Sequence, residues 1–451
     1  MLGTLCSRAS GANTRGPQPD TGHPALTLLP MTSSRTTGGV LAVVLAGGEG
    51  RRLLPLTRDR SKPAVPFGGR YRVIDFVLSN LVNSGIDRIY VLTQYKAQSL
   101  IEHLQRAWIR MNGRDSFLVA VPAQMQIGSS WYCGTANAVH QNLHLLERCA
   151  TEVIAVFGSD HIYKMNVEQM VDFHLMRDSA VTIAAMPVPI EEASSFGVIQ
   201  VDTQSRIVGF QEKPSDPTPI PGQEDMALVS MGNYLFDPTV LREALIRDAD
   251  ISTSANDFGR DILPDLLGSV PMFAYDFRRN RIPNERESER AYWRDIGSID
   301  AYYDANLDLK NVQPRLNLYN WDWPIRTASF ADPPAKFVFD ENERRGMAVQ
   351  SILAGGSIIA GGYVKDSVIG RNVFVDAGAT VVDSILQDNV TIGAGAEIVR
   401  AVIDKNAQIP AGCKVTPAVD PQVPGSLITA SGITVVPRAA LPPEHASARE
   451  Y

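Results

Sequence analysis

Short apolar runs alternate with longer amphipathic segments from Val40 to about Val312. The apolar runs predict strands over residues 40–45, 88–93, 117–121, 153–157 and 181–186. The segments between them predict helices over residues 76–84, 98–109, 135–148 and 167–177. This alternation is typical of an α/β domain, with a Rossmann-like, mostly parallel sheet covered on both faces. Ligands of such sheets bind at the carboxyl ends of the strands.

The C-terminal part has a different pattern, in which four segments repeat every 17 residues. Apolar residues recur six apart within the segments: Ile352, Ile358, Val364; Ile369, Val375, Val381; Leu386, Ile392, Ile398; and Ile403, Ile409, Val415. One inward side chain per short strand, with a turn after each strand, makes a three-sided coil. The pattern therefore predicts a left-handed parallel β-helix, and twelve in-register positions disfavour a generic β-rich domain. Open ends of such a coil favour association, so we expect an oligomer.

These patterns divide the chain into five parts. Residues 1–38 are rich in Gly, Pro, Ser and Thr and predict a disordered tail. We expect a catalytic domain over residues 39–315, a linker over 316–347 with Pro324, Pro333 and Pro334, a β-helix over 348–419 and a C-terminal segment over 420–451.

Composition narrows the class of protein. The chain has 451 residues and a net charge of -7, and its apolar runs are shorter than a membrane span. We therefore expect neither a membrane nor a nucleic acid as a partner. The four cysteines, Cys6, Cys133, Cys149 and Cys413, are scattered without a C-x-x-C motif, which fits a reducing cytoplasm.

A glycine-rich turn follows the first predicted strand, in the order Gly47, Gly48, Gly50, Arg51 and Arg52. Successive backbone N–H groups in such a turn can form an anion-binding nest. It lacks the Lys-Ser/Thr pair of a Walker loop, and Leu53 replaces the third glycine of a dinucleotide fingerprint. Its glycines alone fit an ordinary strand-to-helix turn equally well. Local charge favours a polyphosphate, since residues 51–72 contain seven basic residues, including Lys62, and one acid.

Three charged clusters follow other predicted strands. Asp160 is a candidate Mg²⁺ ligand near the phosphate nest, although a role in capping the next helix is as consistent with its position. Lys213 in Glu212-Lys213-Pro214 is suited to hold a phosphate, or else forms an exposed ion pair. Asp295 supplies a second acid. We expect His161 to be structural, since no serine or cysteine nucleophile is evidently arranged with it.

Longer motifs carry a family resemblance from about residue 41 to 415. They are residues 45–53 (LAGGEGRRL), 62–69 (KPAVPFGG), 122–124 (PAQ), 131–136 (WYCGTA), 195–197 (SFG), 212–214 (EKP), 230–232 (SMG) and 292–295 (YWRD). With these motifs the chain resembles the sugar-nucleotide pyrophosphorylases, and among them the bacterial glucose-1-phosphate adenylyltransferase (ADP-glucose pyrophosphorylase) family of glycogen synthesis. The KPAV, WYxGTA and YWRD motifs point to the adenylyl branch.

The resemblance implies transfer of the adenylyl group of ATP to glucose 1-phosphate, giving ADP-glucose and pyrophosphate. It also implies Mg²⁺ as the cofactor, small anionic effectors and a homotetramer. The implied catalytic residues are Arg52, Lys62 and Asp160, and the implied metal ligands are Asp160 and Asp295. The implied nucleotide contacts are Gly47, Gly48, Gly50, Gln124 and Gly134, and the implied glucose 1-phosphate contacts are Tyr132, Gly197, Glu212, Lys213 and Ser230.

Three positions depart from the family pattern. Asn137 and Asn166 stand where aspartate is usual, and neither is implied in catalysis. Asp59 stands where enteric members have a lysine that contacts a sugar-bisphosphate activator, and its carboxylate would repel such an anion. We therefore expect a different activator or site, with Arg58 and Arg60 as candidate effector contacts.

Three alternatives remain open on the sequence alone. The same fold could act on UTP, dTTP or GTP. A β-helix acyltransferase would usually need a histidine on its coils, and residues 352–419 contain none. A non-catalytic regulatory subunit would be expected to lack Asp160 or Lys213, and both are present.

Overall fold

The computed structural model describes residues 39–108, 116–125, 131–341, 344–419 and 423–438. All of them belong to one compact unit that begins at Thr37. The predicted disordered tail, residues 1–38, lies outside the described residues, as do 420–422 and 439–451 of the predicted C-terminal segment.

The first part of the chain alternates strands and helices as the sequence predicts. Its strands are β1 Val40–Ala46, β2 Pro66–Phe67, β3 Tyr71–Arg72, β4 Arg88–Thr93, β5 Phe117–Pro122, β6 Val153–Gly158, β7 His161–Tyr163, β8 Val181–Pro189, β9 Gly197–Val201, β10 Ile207–Glu212, β11 Met226–Phe236, β12 Met272–Asp276 and β13 Trp293–Asp295. Its α-helices are α1 Ile74–Asn83, α2 Gln98–Trp108, α3 Thr135–His140, α4 Leu143–Leu146, α5 Val167–Met176, α6 Ile190–Ala193, α7 Pro238–Ala249, α8 Leu263–Leu266 and α9 Ile299–Asp308.

The main sheet is mixed. Its order is β10-β9-β11-β6-β1-β4-β5, with β8 beside β11 and β12 beside β8. Strands β6, β1, β4 and β5 run parallel, as predicted, while β11 runs antiparallel to β6, β8 and β9. Two hydrophobic clusters fill the spaces on either side of this sheet. The sheet therefore joins a parallel half to an antiparallel half, and the cavity described below lies between them.

The predicted helix over residues 135–148 is wrong in one respect, because it is two short helices, α3 and α4. Asn142 lies between them with φ -113°, outside the helical region. Its side-chain amide donates to the Ala138 carbonyl at 2.8 Å. Asparagine side chains that bond to nearby backbone groups compete with the helical pattern, which accounts for the interruption.

The second part is a parallel β-helix of three sheets. Its strands are β14 Lys336–Val338, β15 Asp340–Glu341, β16 Arg344–Arg345, β17 Met347–Val349, β18 Ile352–Leu353, β19 Ile358–Ala360, β20 Tyr363–Lys365, β21 Val368–Ile369, β22 Phe374–Val375, β23 Thr380–Val382, β24 Ile385–Leu386, β25 Thr391–Ile392, β26 Glu397–Val399, β27 Ala401–Ile403, β28 Gln408–Ile409, β29 Lys414–Val415, β30 Leu427–Ile428 and β31 Thr434–Val436. The three parallel ladders are β14-β19-β22-β25-β28, β17-β20-β23-β26-β29 and β18-β21-β24-β27-β31, the last closed by the antiparallel β30.

The inward positions follow the predicted six-residue spacing except in the first coil. Ten of the twelve predicted residues are buried, but Ile352 and Ile358 are only partly buried. Ile359 is fully buried instead and pairs with Val375. The predicted register is therefore wrong by one residue at these two positions, whereas Val364 of the same coil is buried as predicted. The cause is a shorter turn, since two residues separate β19 from β20 whereas four separate β22 from β23.

Strand pairing extends beyond residues 348–419 at both ends. Strand β14 pairs with β19, and β31 pairs with β27, although both lie in segments predicted to be a linker and a C-terminal segment. Both ends of the β-helix therefore use strands that the repeat pattern does not predict.

The β-helix and the α/β part share a hydrophobic cluster. It joins Phe67, Tyr302 and Tyr303 of the α/β part to Ile385 and Val402 on the coils. A polar contact reinforces this cluster, because the Tyr303 hydroxyl donates to the Asp383 carbonyl at 2.5 Å. The coils therefore rest against the α/β part through a continuous core.

Candidate active site

One cavity of about 740 Å³ lies at the carboxyl ends of the parallel strands. Most of the residues implied by the resemblance line it: Gly47, Gly48, Gly50, Arg52, Lys62, Tyr132, Gly134, Asp160, Gly197, Glu212, Lys213, Ser230 and Asp295. The chain supplies them from segments that are far apart in sequence, so the fold brings the predicted clusters together in one place.

The glycine turn leads from β1 into a short 3₁₀ turn, Arg51–Leu53, instead of an α-helix. Gly50 has φ +68°, and a Cβ there would lie 3.0 Å from the Lys62 Cβ. A side chain at this position would be strained and crowded, so the close approach of Lys62 needs a glycine. Arg51 and Arg52 are both exposed and both line the cavity, and Arg51 also pairs with Glu49 at 2.5 Å.

Lys62 bridges two acids. Its Nζ lies 2.9 Å from Asp160 Oδ2 and 2.9 Å from Asp295 Oδ1, and its side chain is 9% exposed. Burial acts to lower the pKa of Lys62, but attraction to the two carboxylates outweighs it, so the pKa is raised. Burial acts to raise the pKa of Asp160. Attraction to Lys62, and then to His161, outweighs burial and holds this pKa well below its usual range. Lys62 is therefore charged, and Asp160 is ionised, at neutral pH.

Asp295 reaches this position through a small antiparallel ladder outside the main sheet. Strand β13 pairs with β7 so that Asp295 lies opposite His161 and Trp293 opposite Tyr163. The His161 and Trp293 rings pack 5.0 Å apart, which holds the ladder together. Gly297 lets Arg52 approach from the other side, because a Cβ there would lie 2.9 Å from Arg52 Nη2 and 2.6 Å from Asp295 Oδ2.

The donor set fits a divalent cation. Single ligand atoms of Asp160, His161 and Asp295 lie within 4.8 Å of one another. In nucleotide sites Mg²⁺ is usually bound by one or two carboxylates together with phosphate oxygens of the substrate, and Asp160 and Asp295 can supply the carboxylates. His161, which was expected to be structural, packs against Trp293, and its Nδ1 also lies 3.5 Å from Asp160 Oδ1.

The other end of the cavity is built around Glu212 and Lys213. Lys213 Nζ contacts Glu212 Oε1 at 2.8 Å, and the lysine side chain is 56% exposed toward the cavity. Two glycines make room for the glutamate, since a Cβ on Gly197 or Gly259 would lie 3.1 Å or 2.3 Å from Glu212 Oε2. Ser230 is nearly buried, and its hydroxyl accepts from the Gly232 N–H at 3.2 Å.

The loop before α3 is fixed from two directions. The Tyr132 hydroxyl accepts from Asn142 Nδ2 at 2.9 Å, and burial raises the pKa of this tyrosine. Gly134 lies against the backbone of another loop, where a Cβ would meet the Asn256 carbonyl at 2.3 Å. Asn137 keeps the contact that an aspartate could make, because its Oδ1 accepts from the Cys133 N–H at 3.2 Å.

Three candidate residues from the sequence analysis are not among those that line the cavity. Gln124 is exposed after β5 and is not among the residues that line the cavity. Arg58 is exposed on the surface. Arg60 is buried and paired with Asp404 of the β-helix, at 2.8 and 2.9 Å, so the structure places it in a domain contact and not at an exposed effector surface.

The cavity also contains residues that the sequence reasoning missed, notably Tyr234, Asp257, Phe258 and Gly259. Asp257 accepts from the Gly259 N–H at 2.9 Å and from the Thr135 hydroxyl at 3.0 Å, which ties this segment to α3. The available signal was the run Asn256-Asp257-Phe258-Gly259, in which an Asx residue and a glycine interrupt an apolar pattern.

Comparisons with known proteins agree with this architecture. The nucleotidyl transferase family model matches residues 41–312, and the GlmU-like C-terminal hexapeptide model matches residues 333–436. Fold and site together define a nucleotidyltransferase with a hexapeptide-repeat β-helix. In the part of the chain that the structure describes, no helix is both long enough and apolar enough to cross a membrane.

Curated relatives give the particular family. A glucose-1-phosphate adenylyltransferase of Thermus thermophilus is 55% identical over 345 residues, which cover 75% of this chain and 83% of the relative. Proteins of the same name from Deinococcus radiodurans and Vibrio vulnificus are 51% and 50% identical, covering 74% of this chain and 82% and 81% of the relatives. The chain belongs to the glucose-1-phosphate adenylyltransferase family.

Proposed function

We propose that the protein transfers the adenylyl group of ATP to glucose 1-phosphate, giving ADP-glucose for α-glucan synthesis and releasing pyrophosphate. The observation that carries this proposal is the single cavity that joins a glycine-arginine turn and an acid pair at one end to Glu212 and Lys213 at the other. Such a cavity can hold a nucleoside triphosphate and a sugar phosphate side by side.

The nucleotide end would hold the triphosphate. Backbone N–H groups of the turn from Gly47 to Gly50 would bind phosphate oxygens, with Arg52 and Lys62 as cations beside them. Gly134 and the loop before α3 would lie near the base. Gln124 remains a proposed base contact that would require the loop after β5 to approach the cavity.

The sugar phosphate end would use Lys213 as the cation for the phosphate and Glu212 for sugar hydroxyls. Tyr132, Gly197 and Ser230 would complete its wall, and the nearly buried Ser230 supports this placement. Glu212 is 16% exposed, so a hydrogen bond from a sugar hydroxyl would replace little bound water.

The reaction needs position and charge more than a protein nucleophile. An ionised phosphate oxygen of glucose 1-phosphate forms a bond to the α-phosphorus, while the bond from that phosphorus to the bridging oxygen breaks and pyrophosphate leaves. No proton has to be removed from the attacking oxygen. The protein's contribution is to align the two phosphates and exclude water, and Arg52 and Lys62 would neutralise charge on the departing phosphates.

Mg²⁺ is the proposed cofactor, held by Asp160 and Asp295. When bound, such an ion polarises phosphoryl oxygens and neutralises their charge.

A panel of nucleotides tests the proposed function. Purified protein would be incubated with glucose 1-phosphate, Mg²⁺ and ATP, UTP, dTTP or GTP, and pyrophosphate release would be measured. We expect ATP to give the highest kcat/KM. A clear preference for another nucleotide would replace the proposed substrate, and binding without turnover would favour the regulatory-subunit alternative.

Assembly, regulation and location complete the proposal. A homotetramer is supported by exposed apolar side chains on and beside strands β14 and β17, at the N-terminal end of the β-helix, among them Phe337, Phe339 and Val349. Small anionic effectors would bind near the exposed Arg58, and Asp59 would make activation by fructose 1,6-bisphosphate weak. Cys133, Cys149 and Cys413 are free thiols, which suits a reducing cytoplasm.

A further inference from the structure

Lys62 is built into the acid pair. It begins a 3₁₀ turn, Lys62–Ala64, whose three residues are all buried, and its stem packs against Gly50. The ammonium makes two contacts of 2.9 Å, one to each acid, and its side chain is 9% exposed. A lysine held in this way is a fixed component of the site and not a mobile surface charge.

The two carboxylates that hold Lys62 are also the proposed Mg²⁺ ligands. Mg²⁺ binds carboxylate oxygens at about 2.0–2.1 Å, so an ion that bound both acids would lie in the gap that the ammonium bridges. Two cations in that gap would repel each other strongly, because burial weakens solvent screening. The ammonium and a divalent ion are therefore alternative occupants of the acid pair.

Binding of a nucleotide would determine which of the two cations occupies the acid pair. Lys62 adjoins the glycine turn, where triphosphate oxygens would offer it a new anionic partner only a short distance away. Lys213, the other lysine that lines the cavity, pairs with Glu212 at the sugar end instead. The exchange is therefore specific to Lys62.

We propose that Lys62 is the resident counter-cation of Asp160 and Asp295, and that a divalent ion replaces it only when nucleotide phosphates draw the ammonium away. This inference rests on the proposed function for the identity of the nucleotide. It assigns Lys62 a second role, which is to keep free metal out of the acid pair until the nucleotide arrives. Metal and triphosphate then enter together.

The test measures metal binding without turnover. Nucleotide-free protein is titrated with Mn²⁺, and free Mn²⁺ is followed by electron paramagnetic resonance. Removing a fixed positive charge a few Å from the ion should tighten binding, so Lys62→Met is expected to lower the Kd for Mn²⁺ by about tenfold or more. Lys213→Met is the matched control, because it removes a positive charge from the same cavity without freeing the acids.

Three further measurements make the result decisive. Lys62→Arg keeps the charge and should bind Mn²⁺ as weakly as the unchanged protein. Adding Asp160→Asn to Lys62→Met should abolish the gain, which locates the ion at the acid pair. Adding a non-hydrolysable ATP analogue should tighten Mn²⁺ binding to the unchanged protein far more than to Lys62→Met. Circular dichroism of each variant checks that it is folded.

The proposal is overturned if folded Lys62→Met binds Mn²⁺ no more tightly than the unchanged protein, or if Lys213→Met gains as much. Neither outcome depends on product formation. The nucleotide panel can therefore fail while the exchange stands, and the exchange can fail while adenylyl transfer stands.

Discussion

At the scale of single residues, Lys213 has an unusual backbone. Its φ is +45°, a left-handed conformation that costs a lysine free energy, and its N–H donates to the Phe196 carbonyl at 3.0 Å. Residues held in this way cluster at functional sites, where the surrounding structure fixes them. Here the lysine lines the cavity beside Glu212, at the end proposed to hold the sugar phosphate.

Lys213→Ala should raise the KM for glucose 1-phosphate much more than the KM for ATP. A lysine that holds the sugar phosphate in the ground state contributes mainly to the binding of that substrate. Steady-state kinetics with each substrate varied in turn provide the measurement. Lys336→Ala removes an exposed lysine on the β-helix and is the control. Equal rises in both KM values would contradict the assignment.

A buried histidine predicts the response of stability to pH. His174 on α5 is 3% exposed and bonds through Nδ1 to the Thr182 hydroxyl at 2.8 Å. Burial lowers its pKa from 6.5 to about 4. Between these values the unfolded chain binds a proton that the folded protein does not, so the histidine's contribution is complete above pH 6.5 and is lost as the pH falls toward 4.

The melting temperature should therefore fall between pH 6.5 and 4, and His174→Gln should reduce the steepness of that fall. Thermal melts in buffers of matched ionic strength measure the slope. His144→Gln, which changes a histidine outside this contact, should leave the slope as it is. A His174→Gln protein with the original slope would show that other groups cause the loss.

Local signals were sufficient to select the glycine turn, Asp160 and Lys213, because glycine turns and charged residues at strand ends can be recognised in a sequence. The remaining predicted residues came only from the family resemblance: Tyr132, Gly134, Gly197 and Ser230. Arg60 shows the limit of this reasoning. Its neighbours Arg58 and Asp59 are exposed, but Arg60 itself is buried against Asp404, 344 residues away in the chain. Burial at that distance depends on how two parts of the chain pack, which no local pattern contains. The double pairing of Lys62 was hidden for the same reason.

At the scale of elements, the ladder of β7 and β13 and the first coil are the informative cases. Each of these two strands has only three residues, too few to show a period in the sequence. Their pairing nevertheless positions Asp295. The first coil does show the period, but its shortened turn moves the inward position from Ile358 to Ile359.

Adjacent isoleucines test the register of that coil. Ile359 is fully buried, so Ile359→Ala should lower the free energy of unfolding by about 2–5 kcal/mol. Ile358→Ala makes the same chemical change at a partly buried position and should cost clearly less. Chemical denaturation of both variants gives the comparison. Equal losses, or a larger loss at Ile358, would restore the register predicted from the sequence.

At the scale of the whole molecule, a buried ion pair joins the two parts. Arg60 and Asp404 are 3% and 1% exposed, and Gln387 Oε1 accepts a further hydrogen bond from Arg60 at 3.2 Å. Arg60 lies two residues before Lys62, so the β-helix holds the segment that carries the bridging lysine. The repeat pattern predicted the β-helix well, but it contained no information on the face that meets the α/β part.

Breaking this pair should be costly because it leaves one charge buried without its partner. Asp404→Asn should lower the free energy of unfolding by about 3–5 kcal/mol. Removing both charges with Arg60→Met and Asp404→Leu should recover much of that loss, which a double-mutant cycle measures. The exposed pair Arg242–Glu147 is the control, and Glu147→Gln should cost about 1 kcal/mol or less. Similar losses for Asp404→Asn and Glu147→Gln would mean that water screens the buried pair.

Gly134 has a consequence for how this enzyme family could change its substrates. The close contact of Gly134 with Asn256, and of Gly259 with Glu212, makes one continuous wall from the nucleotide end to the sugar end. A bulkier residue at position 134 would displace the segment from Asn256 to Gly259. That displacement would also move the Glu212 carboxylate, which is proposed to bind the sugar hydroxyls. On the proposed assignment, a substitution at position 134 that alters nucleotide choice should therefore also alter sugar preference, without any substitution at the sugar end.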